Sequence, residues 1–365
     1  MSMVANPPEA GAPSTVSVVI ACDSRARSIP GCLDSVLSQE GVAVEVLLVD
    51  EGSNDWTSAV VAAAARTDAR VRIVACANGG SDGGIAGGTP TIADALASAS
   101  GEYTVLLNVD DRLAPGALAR AVGILGLHPG VGMVYGGSLP FYSDDAMPRA
   151  RTQTVVPELW RGRDWIVERC RTASMGIASA RAVVRTSLER ELGDNRAVLA
   201  PDEALARCLR LATRADIAFL RGVDQTYVVA ALNAVARPEL GSPIEDLRLR
   251  KAAFDAWFAV DGRELPGAQG LHAMAHRALA REALSVAGSG DGPGRNGGWI
   301  AELEVFASLA FAEARAFPPC RQGRWMRRAR ARLGLRPDAP LKAPDKNQTG
   351  ASQVASQERG RCCRE

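Results

Sequence analysis

Histidine is scarce. His128, His272 and His276 are the three in 365 residues, too dispersed for a histidine-based cofactor cluster. His272 and His276 share a helix face at a spacing of four, which can hold a metal, but no glutamate of a zinc-protease pattern accompanies them. They read as solvated or core side chains. Charge of one sign is lacking too: a net +1 provides no global field toward nucleic acid. No apolar run is long enough to span a bilayer, and the one near residues 228–236 falls well short. Residues 1–14 contain no basic region followed by an apolar one and are expected to be a loose tail, not a secretory signal. None of the 8 cysteines has metal-finger spacing. Cys22, Cys32, Cys76, Cys170 and Cys208 sit in apolar or helical contexts typical of buried thiols. Cys362 and Cys363 precede Arg364, a poor match to a prenylation signal. A reducing, cytoplasmic setting is the economical expectation.

What is present is an alternation of apolar runs and helical periods. Residues 16–22, 44–49, 71–76 and 103–107 read as strands, the first apolar enough to be buried on both faces. Residues 29–37, 56–66 and 91–100 read as the helices between them. Such an order implies a parallel sheet with right-handed crossovers. A helix after Pro115 to about Leu127 and a strand over 131–135 follow, then an irregular stretch to Trp165 and a helix over 204–212. Three amphipathic helices are expected near 244–258, 271–286 and 299–317, and an arginine-dense helix over 321–332. The organisation expected is a tail at 1–14, an α/β domain at 15–237, a helical region at 238–334 and a disordered tail at 335–365.

Two of the strands end in carboxylate clusters: Val49-Asp50-Glu51-Gly52-Ser53 and Leu107-Asn108-Val109-Asp110-Asp111. Open parallel sheets hold nucleotides outside the carboxyl ends of their strands, so both clusters belong at a ligand edge. The glycine-dense stretch at 78–88 lacks a proper dinucleotide fingerprint. It reads as a loop, either over the ligand or a plain connector. Trp160 and Trp165 flank basic residues and suit either stacking on a sugar ring or core packing.

These runs, together with Val16-Ser17-Val18-Val19-Ile20, Gly101-Glu102-Tyr103, Arg185-Thr186-Ser187 and Cys208-Leu209-Arg210, resemble a family 2 glycosyltransferase of the GT-A type. The stretch Ala215 to Gln225 and the runs from Asp246 to Asp255 resemble an actinobacterial-type subgroup with a C-terminal helical extension. The resemblance implies an α/β, Rossmann-like, mostly parallel sheet flanked by helices, and a UDP- or dTDP-sugar donor. Ala21, Asp23, Asp50, Ser53, Asn108, Asp110 and Asp111 would bind the donor. Asp50 would take the base, Asn108 the ribose, and Asp110 a Mg or Mn ion at the diphosphate. Aligned on Cys208-Leu209-Arg210, the family's general base for an inverting transfer falls at Ala204, with Asp202 and Glu203 just before it. A one-residue shift would give Glu203 that role, and the same two carboxylates equally suit the cap of a helix. A glycan or lipid-linked acceptor is also implied. The arginine-dense helix over 321–332 suits either a peripheral contact with anionic lipid or, more simply, a solvated terminal helix with local salt bridges. The chain departs from the pattern at Asn108, which adds no charge to a metal site, and at Ala21-Cys22-Asp23-Ser24, where the base-stacking aromatic is missing. Tyr227-Val228-Val229-Ala230 has no histidine where the family has one. The alternative that these departures raise is a catalytically degraded relative acting as a binding or scaffold protein.

Overall fold

The computed structural model of the chain describes residues 14–22, 25–50, 53, 56–74, 91–141, 147–152, 156–174, 181–193, 201–229, 243–289 and 298–315. Four parallel strands form one half of the sheet: β1 (Thr15–Cys22), β2 (Ala43–Asp50), β3 (Val71–Ile73) and β4 (Tyr103–Asn108). Their order is β3-β2-β1-β4. β1 and β4 run through side chains buried on both faces, which is why they read as unbroken apolar runs. Helices α1 (Ile29–Leu37), α2 (Thr57–Thr67) and α3 (Ile92–Ser98) make the crossovers. Thr91 starts α3 with a reciprocal capping box to Asp94.

The other half is mixed. β5 (Arg112–Leu113), α4 (Ala117–Leu127) and β6 (Val131–Phe141) lead to β7 (Glu158–Trp160) and α5 (Gly162–Thr172). Then come β8 (Val183–Arg185), α6 (Thr186–Glu191), α7 (Pro201–Ala212) and β9 (Asp216–Val229). The sheet continues β4-β8-β6-β9-β5, with β7 on β9. β8 is antiparallel to both neighbours, so β6 runs in the direction of β4.

Two expectations are corrected. The stretch before Trp165 is not irregular throughout: β6 extends to Phe141, and β7 and the start of α5 lie within it. The long β9 was not read as a strand, because Asp216, Arg221, Asp224 and Gln225 interrupt its apolar period.

Three helices close the described chain: α8 (Pro243–Ala259), α9 (Ala268–Ser289) and α10 (Gly298–Arg315). They share one core with the sheet domain, in which Phe254, Trp257, Leu279 and Leu303 pack with Trp165, Cys170, Leu205 and Leu209. Arg250, itself 4% exposed, ties them down. Its guanidinium donates to Ala173 O at the end of α5 (2.9 Å), to both oxygens of Glu282 (2.8 and 2.7 Å) and to Asp246 (2.6 Å). Among the described residues no helix is long and apolar enough to cross a membrane. The basic helix expected at 321–332, the glycine-dense loop and Cys76 lie outside the described residues.

Candidate functional site

The register of the parallel strands builds the site. Asp50, last in β2, pairs with Cys22, and Asn108, last in β4, pairs with Ala21. The two polar residues therefore flank the end of β1, each about 4.8 Å away, one strand spacing. Val109 N–H donates to Ala21 O (3.2 Å), which carries the pairing one residue past β4 and sets Asp110 just beyond the edge.

Asp50 is half-buried and locally held. Its Oδ1 accepts from the backbone N–H of Ser53 (2.9 Å) and its Oδ2 from the Ser58 hydroxyl. A carboxylate at an open strand end is an acceptor of the kind that recognises the N–H of a base. Beside it, burial and the Asp50 charge push the Cys22 thiol up to about 12, leaving it unreactive.

The turn after Asn108 is rigid. Asp111 N–H closes it on Asn108 O (2.9 Å), and Arg112 Nη1 donates to Val109 O (3.1 Å) and Asp111 O (2.9 Å). A Cβ on Gly31 would stand 2.9 Å from two nitrogens of that guanidinium, so a glycine in α1 lets Arg112 lie against the helix. Asp110 and Asp111 are both buried. Asp110 Oδ1 accepts from the Ser28 hydroxyl (2.6 Å), and Oδ2 pairs with Arg25 Nη1. Asp111 accepts a fork from Arg181, Nε on Oδ2 (2.6 Å) and Nη2 on Oδ1 (3.0 Å).

Divalent cations are common in glycosyltransferases of this fold, and Asp110 is where the resemblance puts one. The residues as they stand do not fit it: Asn108 adds no charge, and both carboxylates of the turn are already matched to guanidinium groups. Hard cations are held by uncompensated oxygen charge, and this turn has none to spare.

Ala21, Asp50, Ser53, Asn108, Asp110 and Asp111 thus gather at one edge. Asp23 lies outside the described residues, and Asp202 and Glu203 fall in the first turn of α7 with their side chains outside them. Arg25, Ser28 and Arg181 were missed. Arg25 and Ser28 stand together in the sequence between the first strand and α1, but the carboxylate they meet lies far along the chain.

Two further groupings lie elsewhere among the described residues. An open cavity of about 350 Å³ is lined by Ser138, Glu158, Trp160, Arg169, Phe219 and Arg221, among others. Of the two tryptophans, Trp160 faces this cavity, whereas Trp165 is core, 1% exposed, with its indole N–H on Tyr135 Oη (3.0 Å). In the helical region Asp255 Oδ1 lies 2.6 Å from Nε2 of both His272 and His276, and Lys251 holds Oδ2 (2.7 Å). His276 is a buried core histidine and His272 is partly exposed, and both converge on a carboxylate from α8.

The profile of Glycosyl transferase family 2 matches residues 17–189. A succinoglycan biosynthesis protein, ExoO, of Rhizobium meliloti is 35% identical over 117 residues, 32% of this chain and 31% of that protein. An uncharacterized glycosyltransferase of Nostoc sp. is 27% identical over 139 residues, 38% and 41% respectively. The matched part thus spans less than half the length of these curated relatives. Among solved structures, S. aureus TarS 1-349 superposes with a TM-score of 0.52 at 14% identity, covering 83% of this chain and 82% of TarS. TarS has also been solved with UDP and with UDP-GlcNAc. The sheet order, the carboxylate-bearing edge and these matches agree: the chain carries, in residues 17–189, a family 2 glycosyltransferase domain of the GT-A type.

Proposed function

We propose that this chain transfers a hexose from a UDP- or dTDP-linked donor to an acceptor hydroxyl, with inversion, in the assembly of a cell-envelope or exported polysaccharide. One observation carries the reading: Asp50 and Asn108 flank the end of β1, with Asp110 and Asp111 on the adjoining turn. Asp50 accepts the imide N–H of the base, Asn108 bonds a ribose hydroxyl, and Ala21, Asp23 and Ser53 complete the donor pocket. The polysaccharide context rests on the short similarity to the succinoglycan protein.

The acceptor belongs in the cavity beside Trp160. Val105 and Val134 both pair with Val183, so three residues further on Gly137 stands level with Asn108. They are two strand spacings apart, about 10 Å, and Gly137 lines the cavity. An aromatic face with carboxylate and guanidinium neighbours suits a sugar ring. Glu203, at the start of α7 and supported by Asp202, takes the proton from the acceptor hydroxyl. That oxygen attacks the anomeric carbon, the bond to the phosphate oxygen breaks, and the nucleoside diphosphate leaves with the electron pair.

The test separates binding from turnover. Asp50→Ala should weaken donor binding by about 10-fold, roughly 1.4 kcal/mol. Glu203→Gln should leave binding intact and lower kcat by about 10²–10⁴-fold. A donor that binds but is neither transferred nor hydrolysed by the unaltered protein would replace this reading with the binding or scaffold alternative.

A further inference from the structure

We propose that the guanidinium of Arg25 takes the part of the divalent cation, so that the donor diphosphate is bound and neutralised without a metal. The proposal rests on the reading of this edge as a nucleotide-sugar site.

Charge comes first. Two carboxylates, Asp110 and Asp111, meet two guanidinium groups, Arg25 and Arg181, and the remaining polar residue of the turn, Asn108, is neutral. A Mg or Mn ion would have to displace Arg25 from Asp110 and would then find one carboxylate and an amide there. Arg25 has no such cost, because it is covalently part of the site.

Position comes second. Arg25 follows the carboxyl end of β1 and shares a hydrogen-bonded turn with Ser28, whose N–H donates to Arg25 O (2.9 Å). Both residues of that turn hold the same carboxylate: Ser28 fixes Oδ1 and Arg25 engages Oδ2. Asp110 is thereby turned from a metal ligand into an anchor that orients a cation. The next helix, α1, begins at Ile29, and its positive end adds to the field at this loop.

Chemistry comes third. A guanidinium stays charged at any working pH and matches phosphate oxygens with paired N–H donors. Among the described residues Arg25 engages Asp110 through Nη1, and its side chain keeps 26% exposure, so donors remain for a ligand. Arg181 differs: it spends a full fork on Asp111 and is 12% exposed. As the glycosyl bond breaks, negative charge grows on the departing diphosphate, and Arg25 donates to it with no proton exchanged.

The experiment is calorimetric titration of the whole protein with UDP, dTDP and GDP, each in excess EDTA and in manganese. The nucleotide that binds should do so within about 3-fold as tightly in EDTA as in manganese. Arg25→Ala should lose at least about 10-fold in EDTA, and Arg25→Lys should recover part of that loss. Asp110→Asn loosens the anchor of Arg25 and should weaken nucleotide binding by the same factor in EDTA and in manganese, whereas a loss seen only in manganese would overturn the proposal. Binding that EDTA abolishes and manganese restores would overturn the proposal and leave the nucleotide-sugar reading standing. Failure of all three nucleotides in both conditions would remove that reading and the proposal together. Should Arg25→Ala not fold, the EDTA comparison on the unaltered protein and on Arg25→Lys decides the question alone.

Discussion

Asp110 with Arg25 and Glu189 with Arg207 are the same chemical pair in two settings. At the sheet edge Arg25 is about one-quarter exposed and Asp110 lies beside a neutral amide. Between α6 and α7 both side chains of the pair are fully buried, at 0% exposure. Arg207 donates Nε to Glu189 Oε2 (3.2 Å) and Nη2 to Oε1. Burial pulls its guanidinium down to about 10, still charged at neutral pH. A sealed pair can only hold structure, since no ligand can reach it. A pair at an open strand end keeps a face for solvent or substrate. Burial, and not the identity of the partners, separates a brace from a binding element.

That contrast is broken most directly by removing one member of each pair. Glu189→Ala should destabilise the fold by about 3–5 kcal/mol, because a buried guanidinium is left uncompensated. Arg25→Ala should cost less, about 1–2 kcal/mol, since Asp110 is buried but keeps the Ser28 hydroxyl, and the partly exposed place that Arg25 leaves admits water. Urea unfolding of the two variants measures both, and equal losses would erase the distinction. Replacing both Glu189 and Arg207 by Leu and Met should recover most of the loss. Arg250→Ala falls between them, at about 2–3 kcal/mol. It strands Ala173 O in the core, but its carboxylate partners Asp246 and Glu282 are half exposed and can hydrate.

A smaller effect is read from pH. Glu45 is partly desolvated, which alone would raise its pKa. Bonds from Ser17, Ser100 and Arg72 outweigh that and bring it from 4.5 down to about 2. A Cβ on Gly101 would sit 2.7 Å from Ser17 N and Oγ, so this cradle needs glycine at that position. A carboxylate whose pKa is lowered by folding stabilises fully above its unfolded value and loses that contribution as pH falls toward the folded one. Stability should therefore decline from about pH 4.5 toward pH 2, and Glu45→Gln should flatten that limb of a thermal-unfolding series.

These braces and edges were unequally legible in the sequence. Asp50 and Asn108 could be placed because each ends an apolar run, and parallel register carries run ends to one edge. Their partners could not. Ser28 is 82 residues from Asp110, and Arg181 is 70 from Asp111; no local period encodes such pairings. The long apolar strands β1, β2 and β4 were read correctly, whereas β3, expected over 71–76, ends at Ile73. β9 was not, because its polar positions serve partners across the fold: Asp224 takes a fork from Arg151 (3.0 and 2.8 Å), and Gln225 accepts from Arg120 (3.1 and 2.8 Å). A strand whose side chains are spent on long-range hydrogen bonds loses the alternation that announces it.

The smallest expected effect sharpens the comparison at a third carboxylate. Asp255, His272 and His276 place ligand-type atoms within 4.8 Å of one another, which by distance alone resembles a metal site. The hydrogen bonds say otherwise. Both imidazoles share Oδ1, an ammonium occupies Oδ2, and together they hold the Asp255 carboxyl well below its ordinary range despite burial. A cation entering here would meet Lys251 and two ring nitrogens already committed to the carboxylate. Zinc should leave the melting temperature unchanged. His272→Ala, which leaves Asp255 two donors, should cost about 0.5–1 kcal/mol. The His272→Ala/His276→Ala pair should cost more than the sum of the singles, because the second loss strips the carboxylate of its last imidazole. A zinc-dependent rise in melting temperature that both histidine substitutions abolish would reverse this assignment. It would also weaken the parallel drawn at Asp110, since both rest on the same rule: a carboxylate already matched by side-chain donors does not recruit a metal.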